Sequence, residues 1–312
     1  MSFTGTLCFV LAAVYGLTSL LLSILVAGMW RAGLERLRST SGDLLALRLL
    51  PPAGAAFLTL AVVLPAFLIH EPRHEVEQIG ALLVVLVMIA FVAVGHGILR
   101  GWRACTAAAA LVRDFGEVNR CCVMAGQNVE IVDIPEPMVA VVGAWQPRIV
   151  AAGNVLAACS DAEFHQVIEH EAAHVSAHDN LKLLLLLATP DALAWMPAGE
   201  DLTARWRAAA ELEADARASG SDRYKRVALA SALIKVARLS SGIKRQFPPL
   251  SMPIALEDVE GRVRQLLAPG ATSARRLRRK VVIACALLIA VLAVPLYGVV
   301  QQGVEALVAF GP

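Results

Sequence analysis

Near the middle of this 312-residue chain two histidines stand four residues apart, with a glutamate directly after the first: His170-Glu171-Ala172-Ala173-His174. On a helix a step of four stacks two side chains on one face, so both imidazoles can reach a single metal ion. Glu171 then stands beside the open coordination position. A zinc ion lowers the pKa of the water it holds toward roughly 7, and an adjacent carboxylate can take that water's proton as it attacks a peptide carbonyl. The pattern assigns His170 and His174 as ligands of one Zn2+ per chain and Glu171 as the general base. A third ligand is still required, and Glu211-Leu212-Glu213-Ala214-Asp215 supplies it. Glu211 and Asp215 lie nearly in line on a helix, whereas Glu213 points about 200° away from Glu211. Glu211 is therefore the expected ligand, with Asp215 accepting the second ring N–H of a ligand histidine.

Helices must hold these residues, and the sequence marks where they start. Ser160 followed three residues later by Glu163 is a capping box, so a helix begins just before Phe164 and runs through the histidines. Residues 208–218 and 226–239 read as further helices, and the proline-rich stretch 240–253 as a loop. Three β-branched runs, 129–134, 138–142 and 148–151, are separated by turn residues and are expected to form a small meander. Met138, Val139, Ala140, Val141 and Val142 are the expected edge on which a substrate could add as a strand. For stabilising a developing oxyanion, Arg217, Arg223 and Tyr224 are candidates by position, each with a surface role as the rival reading.

The setting is a membrane. With 57% hydrophobic and 17% charged residues, the chain is too apolar for an ordinary soluble domain, and its net charge of +2 argues against a nucleic-acid surface. Apolar runs at 4–30, 52–70, 79–99 and 281–300 are each near the roughly 20 residues that cross a hydrocarbon core. The first has no basic leader and reads as a retained span. Arg31, Arg36, Arg38 and Arg48 fall between the first two runs, Arg100 and Arg103 follow the third, and Arg275 to Lys280 precede the fourth. The positive-inside rule therefore places residues 100–280 in the cytoplasm and both termini outside. A further apolar run, 181–196, is short and interrupted by Pro190 and Asp191. A single crossing there would part Glu211 from His174, so the run must return as a re-entrant or interfacial hairpin, bringing the active site close to the bilayer. None of the six cysteines forms a Cys-x-x-Cys pair, and all are expected to be free thiols. His178 is expected one turn beyond His174 on the same face without ligating, His165 off that face, and His96 as a structural histidine.

These features together resemble the BlaR/MecR-type integral membrane zinc metallopeptidases, which are related in site design to the HtpX and CAAX prenyl protease group. His170 to His174 followed by Asp179-Asn180 is similar to that family's His-Glu-x-x-His helix ending in Asp-Asn, and Glu211 to Asp215 to its second motif. Gly143-Ala-Trp-Gln-Pro147-Arg-Ile149 looks like its Gly…Pro-x-Ile strand pair, and Arg262 in Gly-Arg-Val-Arg like its late arginine helix. The resemblance adds Asp179 to Asp215 as a group behind the ligands. Ala214 stands where antibiotic-sensing members have cysteine, and the sequence ends soon after the fourth apolar run. The expectation is thus a minimal member without an extracellular sensor domain and with no direct antibiotic-receptor role.

The expected architecture is membrane α-helical with an α+β, gluzincin-like zinc peptidase domain: three spans in 1–99, the peptidase in 100–280, and a fourth span with a short tail in 281–312. The expected activity is endoproteolysis of a protein or peptide at the cytoplasmic face of the cell inner membrane. Its partners are membrane lipids and a substrate that is either a cytoplasmic repressor or a membrane protein, without direct nucleic-acid binding; a homo-oligomer stays open. Regulated proteolysis in signalling is the leading role and quality control of membrane proteins the second. A non-enzymatic scaffold with a structural metal is a third, which the presence of Glu171 disfavours, because a structural zinc site needs no general base.

Overall fold

In the computed structural model residues 3–33, 39–70, 81–115, 118–241, 249–253 and 258–268 are described. The expected fourth span at 281–300 and the basic run before it lie outside them. The chain divides into two compact units, one built from Met1–Leu99 with Ala188–Arg205 and the other from Arg100–Leu187 with Trp206–Ser273.

The first unit is helical. α1 covers Phe3–Arg31, α2 covers Ser41–Phe57 and passes through a π-turn at Leu58–Val63 into α3, Leu64–His70, and α4 runs from Ala81 to Asp114. Three stretches of these helices, Phe3–Arg31, Ser41–Ile69 and Leu83–Asp114, are long and apolar enough to cross a membrane. The second begins at Ser41 rather than at 52. Thr40 starts it, its hydroxyl accepting from Asp43 N–H while Asp43 accepts from Thr40 N–H. Arg48 consequently lies inside α2 and not in a linker. Its Nη1 is 2.6 Å from Asp191 Oδ2, and both side chains are fully buried. A charge in so apolar a unit persists only when paired, which leaves Arg31, the last residue of the first apolar helix, with Arg36 and Arg38 as the arginines before the second.

The apolar run 181–196 breaks where Pro190 and Asp191 predict. α7, Asp179–Ala188, ends before them, and Asp191 caps a 3-10 turn at Ala192–Trp195 by accepting from Ala194 N–H. Residues of α1 and α4 hold this stretch. Tyr15 Oη donates to Pro190 O at 2.9 Å, Trp30 Nε1 to Asp201 Oδ2 at 2.7 Å, and His96 stacks on Trp195. Gly97 permits close passage, since a Cβ there would come within 2.6 Å of Ala188 O.

The second unit carries a five-stranded sheet of β1 (Val118–Met124), β2 (Gln127–Val132), β3 (Val139–Val142), β4 (Arg148–Ala152) and β5 (Ser251–Pro253) in the order β1-β2-β4-β3-β5. The expected meander is corrected. β1 pairs antiparallel with β2, β2 runs parallel to β4, and β3 turns back antiparallel onto β4. β-branched runs identify strands, but pairing order is set by long-range packing. A second correction concerns Met138 to Val142. β3 is an inner strand whose outer side is taken by β5 over Ala140–Val142, so among the described strands the sheet's edges are β1 and β5.

After β4 comes the short α5, Gly153–Ala158; α6, Asp161–Ala177, then packs on this sheet together with α9, Arg223–Ser240. Phe164, Val167 and Ile168 share one buried apolar core with Val139, Val141 and Ile149 of the sheet and Leu229 and Leu233 of α9. α6 starts at the capping box as read: Glu163 N–H reaches Ser160 Oγ, and Ser160 N–H donates to Glu163 Oε2. Glu163 also accepts from Ser231 Oγ and Lys235 Nζ, both at 2.6 Å, which ties the start of α6 to α9. α8, Pro197–Ser219, supplies Glu211, and α10, Val259–Leu267, packs on α9.

Partial burial pushes the Glu163 carboxyl upward, but its bonds from Lys235, Ser231 and Ser160 outweigh that and hold it down at about 2, against 4.5 for an ordinary glutamate. A depressed carboxyl stabilises the fold fully above its unfolded value and loses that effect as pH falls through the folded one. Glu163→Gln should therefore be less stable than wild type at neutral pH, with the gap shrinking from about 4.5 down to about 2. Denaturant titrations of both proteins across that range measure it, and a gap that does not change with pH would contradict the assignment.

Candidate metal centre

α6 and α8 bring three ligand residues together. His170 Nε2 and His174 Nε2 are 3.2 Å apart, Glu211 Oε2 is 3.4 Å from the first, and Glu211 Oε1 is 3.5 Å from the second. All three residues are buried. A tetrahedral ion with bonds of about 2.0–2.1 Å has ligand atoms roughly 3.3 Å apart, so the donor set fits a metal in spacing as well as in chemistry.

The rings are fixed from behind. His170 Nδ1 is 3.0 Å from Asp215 Oδ1, and His174 Nδ1 is 2.9 Å from Asp179 Oδ2. Each carboxylate draws the N–H to Nδ1 and turns the Nε2 lone pair toward the centre. Asp179, the first residue of α7, is itself held by Lys182 Nζ at 3.0 Å. Burial pushes the His170 imidazolium down, yet Asp215 and Glu211 beside it outweigh this and raise it to about 9.

Glu171 is different. It is buried, and neither carboxylate oxygen makes a well-formed hydrogen bond among the described residues, the Val141 backbone N–H being its nearest pull toward the ionised form from the main chain. Burial, with a smaller push from Glu211, drives its carboxyl up to about 8, against opposing pulls from His170 and Arg262. A divalent cation in the site adds positive charge next to it and favours the ionised form. An unpartnered buried carboxylate beside a ligand set is suited to moving a proton.

The remaining candidates fall elsewhere. α6 ends at Ala177, so His178 is not on its face; it takes a left-handed conformation at φ 56° and is exposed. His165 is exposed near Glu169, and His96 belongs to the helical unit. Arg217 donates from Nη1 to Ala173 O, between the two histidines, and from Nη2 to Glu213. Arg223 and Tyr224 are exposed at the start of α9, Tyr224 by 87%.

Arg262 is the participant whose part no local pattern revealed. Its Nε and Nη2 donate to Asp215 at 2.8 and 2.7 Å, and its Nη1 is 2.9 Å from Glu211 Oε2. The signal available was an arginine four residues before Leu266 on the buried stripe of an amphipathic helix, beside the exposed Arg264.

The geometry separates the carboxylates of α8. Glu211→Gln should strip or weaken the metal, Asp215→Asn should lower affinity about 10- to 100-fold as for loss of a ring-orienting group, and Glu213→Gln should leave metal content near wild type. Metal stoichiometry of the three purified variants is the check; loss of metal in Glu213→Gln would mean the helix register is wrong.

A search of curated proteins finds no match to this chain. The family model described as BlaR1 peptidase M56 matches residues 66–266, a stretch that holds both histidines, Glu171, Glu211, Asp215 and Arg262. Three helices able to cross a membrane and a buried His-His-Glu group suited to a metal agree with that match. This chain belongs to the BlaR1 peptidase M56 family of membrane-associated metallopeptidases.

Proposed function

We propose that this protein is a zinc-dependent endopeptidase of the gluzincin type that cuts a protein substrate at the cytoplasmic face of the membrane, in regulated proteolysis. The observation that carries this reading is the pairing of a His-His-Glu set, spaced at 3.2–3.5 Å, with the unpartnered buried carboxylate of Glu171. Bound zinc would polarise the scissile carbonyl and acidify the attacking water.

The chain's own residues supply the rest. Glu171 takes the proton from water as the new C–O bond forms, then returns it to the leaving nitrogen as the C–N bond breaks. Asp215 and Asp179 keep the two imidazoles in the orientation the reaction needs. Zinc suits two nitrogens and one carboxylate oxygen with a position left for water. Strand addition remains the proposed mode of substrate binding, and on β3 it requires β5 to yield its place. Arg31, Arg36, Arg38, Arg100 and Arg103 support the cytoplasmic placement.

Glu171→Gln removes the base and keeps every ligand. It should retain metal and fold while lowering cleavage of fluorescein-labelled casein at least about 100-fold; turnover near wild type would sink the mechanism. The same variant, crosslinked in native membranes, should capture a few cytoplasmic regulators or membrane proteins. A broad set of damaged membrane proteins would instead favour quality control, and capture restricted to extracytoplasmic proteins would overturn the orientation.

A further inference from the structure

Arg262 enters the centre from α10, more than forty residues after the third-ligand helix motif, and its side chain is 3% exposed. Two of its nitrogens hold Asp215 as a fork, and a third faces Glu211 Oε2. One planar cation therefore grips both carboxylates on the inner face of α8. Glu211 Oε2 is also 3.4 Å from His170 Nε2, while Oε1 is 3.5 Å from His174 Nε2, so both oxygens of Glu211 face the ligand histidines.

We propose that Arg262 is the positioning residue of the metal centre: by pairing with Glu211 it fixes the orientation in which that carboxylate meets the ion, and by holding Asp215 it steadies the ring of His170. Without that grip the carboxylate can turn and change how many oxygens it offers a metal. A guanidinium supplies the grip because its donors are fixed in one plane and reach two carboxylates at once. Lysine offers a point charge without that fork. The same contacts make α10 part of the active site, so the segment bearing Arg262 must dock for the centre to take its working form. This inference rests on the metallopeptidase reading and deepens it.

Cobalt(II) tests it, because its visible absorption is intense in four-coordinate sites and weak in higher-coordinate ones. Full-length wild type, Arg262→Met, Arg262→Lys and Glu211→Gln would be loaded with cobalt(II) in detergent, with affinity read by chelator competition and folding by thermal unfolding of the metal-free proteins. Wild type should give intense bands. Arg262→Lys should fold, bind cobalt about 10- to 100-fold more weakly and show weakened bands, and Arg262→Met should show the same changes more strongly. Should Arg262→Met fail to fold, Arg262→Lys decides alone. Spectrum and affinity in Arg262→Lys equal to wild type would overturn the proposal while leaving the metal centre in place. No cobalt uptake by wild type, or uptake unaffected in Glu211→Gln, would overturn the metal centre itself and this proposal with it.

Discussion

Glu211 has to approach two imidazole nitrogens that are themselves 3.2 Å apart, inside a sheet-and-helix core from which water is largely excluded. Much of the second unit follows from that requirement. Buried charges are expensive unless opposite partners sit against them, and here the partners are layered: Asp179 behind His174, Asp215 behind His170, Arg262 across Asp215 and Glu211. Removing one member leaves others exposed to the full penalty, so the cluster is cooperative. Glu171 stands outside this pairing, which leaves its carboxylate available for proton transfer.

Delivering these groups takes four helices, α6, α7, α8 and α10, with different anchors. α6 is fixed at its start by Ser160 and Glu163 and along its length by Phe164, Val167 and Ile168. The chain then runs through α7, whose first residue is Asp179, and reaches Glu211 on α8 only after the stretch Ala188–Arg205, which groups with the helical unit. That stretch is held by Arg48, Tyr15 and Trp30 through a buried ion pair and two hydrogen bonds. The connection between two site helices is thus held within the apolar unit, and the rule that a buried charge must be paired governs Arg48 as it governs Arg262.

What could be read from the residues in order was whatever depends on local spacing. The capping box located the start of α6, the four-residue step paired the histidines, and the helical period chose Glu211 over Glu213 as the residue facing them. Apolar length marked three helices able to cross a membrane. The sheet order was not legible, because a parallel β2–β4 pair depends on contacts that leave no periodic trace. Nor was the position of β5 beside β3. Arg48 looked like a linker charge because its partner, Asp191, is distant in sequence. Arg262 was visible only through family resemblance, since its role is written in contacts to Asp215 and Glu211.

The proposed chemistry depends on His170, His174 and Glu211 holding a single zinc ion. X-ray absorption at the zinc edge, on full-length protein whose metal content has been counted, tests it most directly. One zinc per chain is expected, with imidazole nitrogen and oxygen ligands at about 2.0–2.2 Å and no sulfur. A shell at about 2.3 Å would signal cysteine ligands and contradict it, as would zinc content unchanged when His170 and His174 are both replaced by alanine.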